Sequence, residues 1–256
     1  LYEPPLSLCI KEAIGAVKAI NFDISNACAG MLTGVYIADD FIQRGAIRTC
    51  MVVSGEYISN LGDNALRTIR TAANPQVASL TLGDAGAAVI LERTPEGEKG
   101  LYVSHFTTLP GYNKLCVGGI SRKFPGGVMK TKTREIHQAA ISEAPPLLKK
   151  ALEKSGLSYD QIDYLIPHQT SRSSIYSGAR HFSNYFKVKS GQVVCNLEKY
   201  GNTASTSHFL ALYRYLQEKR FKKGDRVMLI GLASGLVIGA VIFTMNEIVE
   251  RYGNKN

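Results

Sequence analysis

A layered α/β fold built from two duplicated halves is what the sequence predicts, on three observations. Apolar, strand-like runs alternate with helix-length amphipathic segments, the order expected of layered α/β domains. The runs are rich in Val and Ile, as strands buried in mixed or parallel sheets are. Two distant stretches also repeat one order of elements, with glycine stops at matching points, which argues for an internal duplication.

The first stretch follows an apolar segment at 6–20 and opens with a short strand over Phe22–Ile24. Small residues come next, then a helix from about Gly30 to Arg44 with its stop at Gly45, then the strand Cys50–Ser54 and, later, the apolar strand Gly83–Leu91. The second stretch repeats this. A strand over Gln192–Asn196 leads to a Gly-Asn-Thr loop, a helix from about Ser205 to Lys219, a Gly224-Asp225 turn, the strand Arg226–Ile230 and the apolar run Gly235–Phe243. Between the copies lies a helix over 136–155, with Ile136, Ala140, Ile141, Ala144, Leu147, Leu148 and Leu152 at helical spacing. Pro145 and Pro146 predict a kink or a split there, because proline has no N–H to give. The strand Tyr164–Ile166 ends at Pro167-His168. The halves are expected to divide as 1–97 and 98–256. The second half has a leading β-α-β unit that the first lacks, so a matching front portion of the first half is expected to be missing.

The chain has 256 residues, 45% of them hydrophobic, enough for a full core in one large or two small domains. No apolar run is long enough to span a bilayer, and no signal segment is read at the start, so no membrane association is expected. Cys9, Cys28, Cys50, Cys116 and Cys195 are scattered without a C-x-x-C pair. That argues against a disulfide framework or a metal site and for a reducing, cytoplasmic setting. The net charge of +9 suits an acidic partner or a phosphorylated substrate as well as a simple solvated surface. Apart from Lys219-Arg220-Phe221-Lys222-Lys223 the basic residues are dispersed, so nucleic acid is not expected. No phosphate loop is present, and Gly83-Asp84-Ala85-Gly86 lacks dinucleotide-binding spacing. Asp84 is expected to tie its loop through backbone N–H groups.

Three polar residues follow strands: Cys28, His168 and Asn202. Ligand sites of α/β sheets gather beyond strand carboxyl ends, so the three are expected to converge. Each has a structural alternative: a cysteine as a small buried hydrophobe, a histidine as a hydrogen-bonded structural residue, Gly-Asn as a plain turn. The context of Cys28 favours chemistry. It stands among small residues at a helix start, where free N–H groups and the macrodipole favour the thiolate, a nucleophile for acyl groups. Its own backbone N–H, with a donor from Ala233-Ser234-Gly235, is expected to form an oxyanion hole, giving Cys28, Ser234 and Gly235 as its members. His168 and Asn202 would donate to a second carbonyl where enolate charge grows. Glu56, just past a strand end, is a further candidate base or else a solvated loop residue. His105, His137, His181 and His208 lack a strand-end setting and are read as structural.

The segments Asp23-Ile-Ser-Asn-Ala-Cys28-Ala-Gly30, Gly83-Asp-Ala-Gly86-Ala-Ala, Ile166-Pro-His168-Gln169 and Gly201-Asn-Thr-Ala-Ser205 together resemble β-ketoacyl-acyl carrier protein synthase III, of the thiolase superfamily. The resemblance runs from about Leu1 to Phe243. It implies a five-layered αβαβα thiolase-like fold, a homodimer or related heterodimer, and no tightly bound cofactor. It implies an acyltransferase that takes an acyl group onto Cys28 from coenzyme A or acyl carrier protein, then condenses it with a malonyl thioester that loses CO2. His168 and Asn202 would hold the enolate. Gln169, Ser171, Arg172 and His137 are implied as candidates lining the pantetheine tunnel. The chain departs from the family where Thr170-Ser171 follows Gln169, where Arg172 is displaced, where Ala233-Ser234-Gly235 replaces a triple glycine and where His137 ends Arg134-Glu-Ile-His. These departures suggest specialised metabolism over fatty-acid initiation. Two alternatives stand beside condensation: acyl transfer to an alcohol or amine on the same scaffold, and an accessory subunit that shapes a partner's tunnel.

Overall fold

The structure, a computed structural model, describes residues 3–95, 98 and 100–252. The first half holds α1 (Leu6–Ala13), α2 (Gly30–Gln43), β1 (Thr49–Glu56), α3 (Ser59–Thr68) and β2 (Ala85–Glu92). Then come β3 (Leu101–Thr108), β4 (Cys116–Ile120), β5 (Gly127–Thr131), α4 (Thr133–Ser155), β6 (Tyr164–Pro167), α5 (Arg172–Phe186), β7 (Gln192–Val193) and α6 (Leu197–Tyr200). The chain closes with α7 (Ser207–Gln217), β8 (Arg226–Ala233), β9 (Val237–Thr244) and α8 (Ile248–Tyr252). The expected division at 97/98 falls between β2 and β3, and residue 97 itself lies outside the described residues.

The main sheet has the order β3-β9-β8-β6-β7, with β6 parallel to both β7 and β8 and the β8–β9 and β9–β3 pairs antiparallel. One face carries α4 and α5. Ala144, Leu147, Leu148, Leu152 and Phe182 pack there on Leu165, Met228, Ile230, Ile238 and Ile242. The other face meets α2 and α7, whose Met31, Leu32, Val35, Phe209 and Leu216 join Ile166, Leu229 and Val241 in a second core. The antiparallel β1–β2 pair lies beyond these helices and closes that core with Val52, Ala87, Val89 and Leu91. The layers are therefore sheet, helices, sheet, helices. The outer face of β1–β2 presents the opposed pair Met51 and Ile90, the latter 63% exposed.

The duplication is visible in detail. β1–β2 and β8–β9 are each eight-on-eight antiparallel pairs. Ahead of α2 stands the 3-10 turn Ala27–Ala29, and ahead of α7 the 3-10 turn Ala204–Thr206. Each turn begins on an alanine with left-handed backbone, φ 44° at Ala27 and 45° at Ala204. Holding a non-glycine residue there costs about 1–3 kcal/mol, which the surrounding packing must offset.

Three sequence expectations are corrected. Phe22–Ile24 is no ladder strand; it runs without a sheet partner, and its middle residue Asp23 instead accepts the Leu6 and Ser7 N–H groups at 2.9 Å, capping α1. The strand expected over Gln192–Asn196 pairs only at Gln192 and Val193. Helix α4 is not split at Pro145 and Pro146. Each interior proline costs about 3 kcal/mol, but burying a Leu side chain returns roughly 1.5–3 kcal/mol, and Leu147, Leu148 and Leu152 are all sealed against the sheet just beyond.

Candidate active site

Cys28, His168 and Asn202 line one cavity of about 1420 Å³. Cys28 is held in the 3-10 turn that feeds α2, packed against the cluster of Ala29, Ala233 and Val237. This setting overturns one expectation. Burial pushes the Cys28 thiol up to about 12, with the charges of Cys116 and Glu56 adding to the effect; its own backbone N–H opposes it only weakly. The helix start does not outweigh desolvation, so the resting group is a thiol.

His168 follows β6, and its main-chain N–H donates to the Ile230 carbonyl of β8 at 2.9 Å. Its ring is 4% exposed, and burial, helped by neighbouring His208, lowers its pKa to about 3. The imidazole is neutral at any physiological pH and can give a proton in a hydrogen bond without carrying a charge. Nδ1 is sealed without a partner, which leaves Nε2 as the nitrogen turned to the cavity.

Asn202 is placed by a crossing of two loops. Its N–H donates to Thr81 O at 2.7 Å and its carbonyl accepts from Gly83 N at 3.0 Å, around a parallel Leu82–Asn202 bridge. The crossing is so close that a Cβ on Gly83 would stand 2.2 Å from Tyr200 O, and one on Gly201 (φ 69°) 2.6 Å from Thr81 O. The Asn202 Oδ1 accepts from Ala204 N–H at 3.0 Å. That fixes the amide orientation and leaves Nδ2, a pure donor, for the cavity.

Glu56 lines the cavity too, but its Oε1 accepts from Ser205 Oγ, from Ser205 N–H at 3.2 Å and from Ser54 Oγ at 3.3 Å. This carboxylate, a candidate base or else a solvated loop residue by sequence, is neither solvated freely nor idle: it holds the 3-10 turn beyond Asn202. Of the turn after β8, Ser234 lines the cavity and Gly235 does not. His137 and Ser171 line it, from α4 and from the start of α5.

Gln169 is turned away. It is fully buried, its amide donating to Pro167 O and Val194 O while its Oε1 accepts from Asn196 N–H, so it staples β6 to the strand end beside it. Arg172 also lies outside the cavity, ion-paired with Glu198 on the surface and set over the Tyr176 ring. Asp84 behaves as expected, accepting from the Ile58 and Ser59 N–H groups at 2.7 and 2.8 Å and so capping α3. Sequence reasoning missed His208. Its ring stacks with that of His168, centroids 5.7 Å apart and planes at 25°. No local signal marks it, since it sits inside a helix turn and its partner lies forty residues upstream. Among the described residues no cluster suited to a metal ion occurs, and no helix is long and apolar enough to cross a membrane.

Comparison with known proteins gives the arrangement a lineage. Family profiles described as 3-oxoacyl-[acyl-carrier-protein (ACP)] synthase III and as its C-terminal part match residues 22–109 and 152–245. The chain is 32% identical over 251 residues to a β-ketoacyl-[acyl-carrier-protein] synthase III of Clostridioides difficile, a match covering 93% of this chain and 71% of that protein. With the Rhodospirillum centenum synthase III identity is 29% over 245 residues, covering 93% and 72%. Among solved structures it is similar to Xanthomonas campestris OleA with bound lauric acid and lauroyl-CoA, at 25% identity and TM-score 0.82 over 96% of this chain and 72% of that one. The 3-oxoacyl-(acyl carrier protein) synthase III of Xanthomonas oryzae gives 26% identity and TM-score 0.82, again over 96% and 72%. With both family profiles matched in order, and a cysteine, a histidine and an asparagine brought from separate segments to one cavity, the chain belongs to the 3-oxoacyl-[acyl-carrier-protein] synthase III family of condensing enzymes in the thiolase superfamily.

Proposed function

We propose that this protein catalyses a decarboxylative Claisen condensation through Cys28, His168 and Asn202. An acyl thioester of coenzyme A or acyl carrier protein binds, and the Cys28 sulfur attacks its carbonyl; the carrier thiol leaves with the proton that Cys28 gives up. A malonyl thioester then occupies the site. Its carboxylate carbon–carbon bond breaks, CO2 departs, and the electron pair settles as an enolate on the thioester oxygen. His168 Nε2–H and Asn202 Nδ2–H donate to that oxygen, each bond growing stronger as charge develops. The enolate carbon attacks the acyl-Cys28 carbonyl, the new carbon–carbon bond forms, and the sulfur leaves as a thiolate when the tetrahedral oxyanion collapses, then takes a proton from solvent to return to the thiol.

One observation carries the reading: the Ala204 N–H holds the Asn202 Oδ1, so the amide is oriented with its Nδ2 donor unpaired beside a neutral imidazole. Two uncharged donors suit an enolate, and simple acyl transfer to an alcohol or amine has no use for the pair. The basic surface of a +9 chain suits an acidic carrier protein. A homodimer or related heterodimer, with no tightly bound cofactor, completes the reading. The test is intact-protein mass spectrometry against a panel of acyl thioesters, followed by malonyl thioester with capture of CO2. A Cys28 adduct and CO2 release that N202A abolishes would bear it out. An adduct that forms with no CO2 released from any malonyl thioester would replace condensation with plain acyl transfer.

A further inference from the structure

His208 has no role in the chemistry above, yet it is the most completely buried titratable group near the site. It lies in the first turn of α7 with no exposed surface. Its Nε2 stands 2.9 Å from the Ile230 carbonyl, and since a carbonyl only accepts, that nitrogen carries the proton. The same carbonyl takes the main-chain N–H of His168, also at 2.9 Å. One backbone oxygen therefore anchors the His168 backbone and the His208 ring together, and the two imidazoles stack. The fold itself does not demand a histidine here. In the duplicated first half the equivalent place, one residue into α2, is taken by Met31, buried and apolar.

We propose that His208 is a positioning residue for His168: anchored on Ile230, its ring backs the His168 imidazole, holds it in one orientation and closes its rear face to water. The inference rests on the reading of His168 as an enolate donor. It explains how that donor is aimed although its own Nδ1 has no partner to fix the ring. Electrostatics agree with the geometry. Burial is the main cause lowering both histidines, the His208 ring adds to it at His168, and the Ile230 carbonyl partly opposes it at His208. Of the charged groups lining the cavity, Glu56 acts on Cys28 and contributes to neither ring.

The test uses the intact protein labelled with 15N-histidine, with His168 assigned through H168N and the ring nitrogens followed from pH 8 to 5. The wild type is expected to show His168 as a single neutral tautomer throughout. H208M, which copies the first half, is expected to mix the His168 tautomers and to cut malonyl-thioester decarboxylation about tenfold while Cys28 acylation stays unchanged, the pattern of a misaimed donor. H208Q, which keeps a donor for Ile230 but not the ring, should fall between them. Unchanged His168 resonances and decarboxylation in H208M would overturn the proposal; should H208M fail to fold, unchanged His168 resonances in H208Q would do the same. The resonances report on the pair of rings even if the enzyme proves not to decarboxylate, so failure of the proposed reaction is told apart from failure of this inference.

Discussion

Gly83→Ala separates the two half-reactions, and its effect follows from one contact. The added methyl would lie 2.2 Å from the Tyr200 carbonyl, where Cβ atoms keep at least 3.0 Å, so the loops must part by about 0.8 Å. Backbone meets backbone here, and no side chain can swing aside. The hydrogen bonds Gly83 N–Asn202 O (3.0 Å) and Asn202 N–Thr81 O (2.7 Å) cross the same gap and stretch with it. Overpacking costs about 1–3 kcal/mol and each weakened bond up to about 1 kcal/mol, so a stability loss of roughly 2–4 kcal/mol is expected in urea unfolding. Asn202 moves with its loop, and a shift near 1 Å in a catalytic group costs on the order of 100-fold. Malonyl-thioester decarboxylation should therefore fall about 100-fold while acylation of Cys28, whose turn is held by its Ala29–Asn26 hydrogen bond and the Ala29, Ala233 and Val237 cluster and not by this crossing, stays within a few-fold. Gly191→Ala is the control. Its methyl meets Ile162 O at the same 2.2 Å, beside the β6–β7 pairing and not at the loop crossing that holds Asn202, so it should lose stability without the selective loss. Were G83A to decarboxylate at the wild-type rate, or to lose both half-reactions in equal measure, the placement of Asn202 by this crossing would be refuted.

Four further outcomes are expected. Because the Cys28 thiol is pushed up to about 12, its alkylation by iodoacetamide should rise about tenfold per pH unit from 7 to 10 without a plateau; a plateau near neutrality would mean a stabilised thiolate. His168 and His208 are lowered to about 3 and about 4 from 6.5, so the folded state binds fewer protons than the unfolded one. Their contribution to stability is whole above pH 6.5 and is lost as pH falls through 6.5 toward those values, about 2 kcal/mol per histidine by pH 5, measurable as a falling urea midpoint from pH 7 to 5. E56Q keeps an acceptor for Ser205 and should retain most activity, whereas E56A, which frees the Ser205 turn, should cost about 1–3 kcal/mol in stability and slow decarboxylation; equal loss in both would restore the base role. A27G relieves a left-handed alanine and should raise stability by up to about 1 kcal/mol in thermal unfolding.

The trio and the duplication were legible because both are written in local order: small residues before a helix, a histidine after a strand, Gly-Asn in a loop, glycine stops at equal intervals. What was not legible depends on distant contacts. Cys28 looked like a thiolate from its helix start, but it packs on a cluster that includes Ala233 and Val237, 205 and 209 residues away. Gln169 follows His168 directly, yet its amide is claimed by Pro167 and Val194. Pro145 and Pro146 read as a break until the sheet beneath α4 is seen to hold the helix whole. His208 gave no signal at all, since stacking on His168 is a fact of tertiary structure.

The duplication also sets two equivalent elbows in different surroundings. The turns Ala27-Cys28-Ala29 and Ala204-Ser205-Thr206 occupy equivalent places, so Ser205 is the counterpart of Cys28. Glu56 and Ala233, the last residues of β1 and β8, are counterparts as well, and each meets the elbow of the opposite half. Ser205 meets the Glu56 carboxylate, which takes its proton in a hydrogen bond and fixes its hydroxyl. Cys28 packs against the apolar cluster of Ala29, Ala233 and Val237, which offers it no acceptor. The same exchange of contacts thus makes Ser205 a girder under Asn202 and leaves Cys28 with an apolar neighbour and a raised pKa. A sulfur in that environment rests as the thiol, while the serine at the equivalent place is tied to a carboxylate. The two halves thus differ at the elbow and at the end of the matching strand within an otherwise repeated frame.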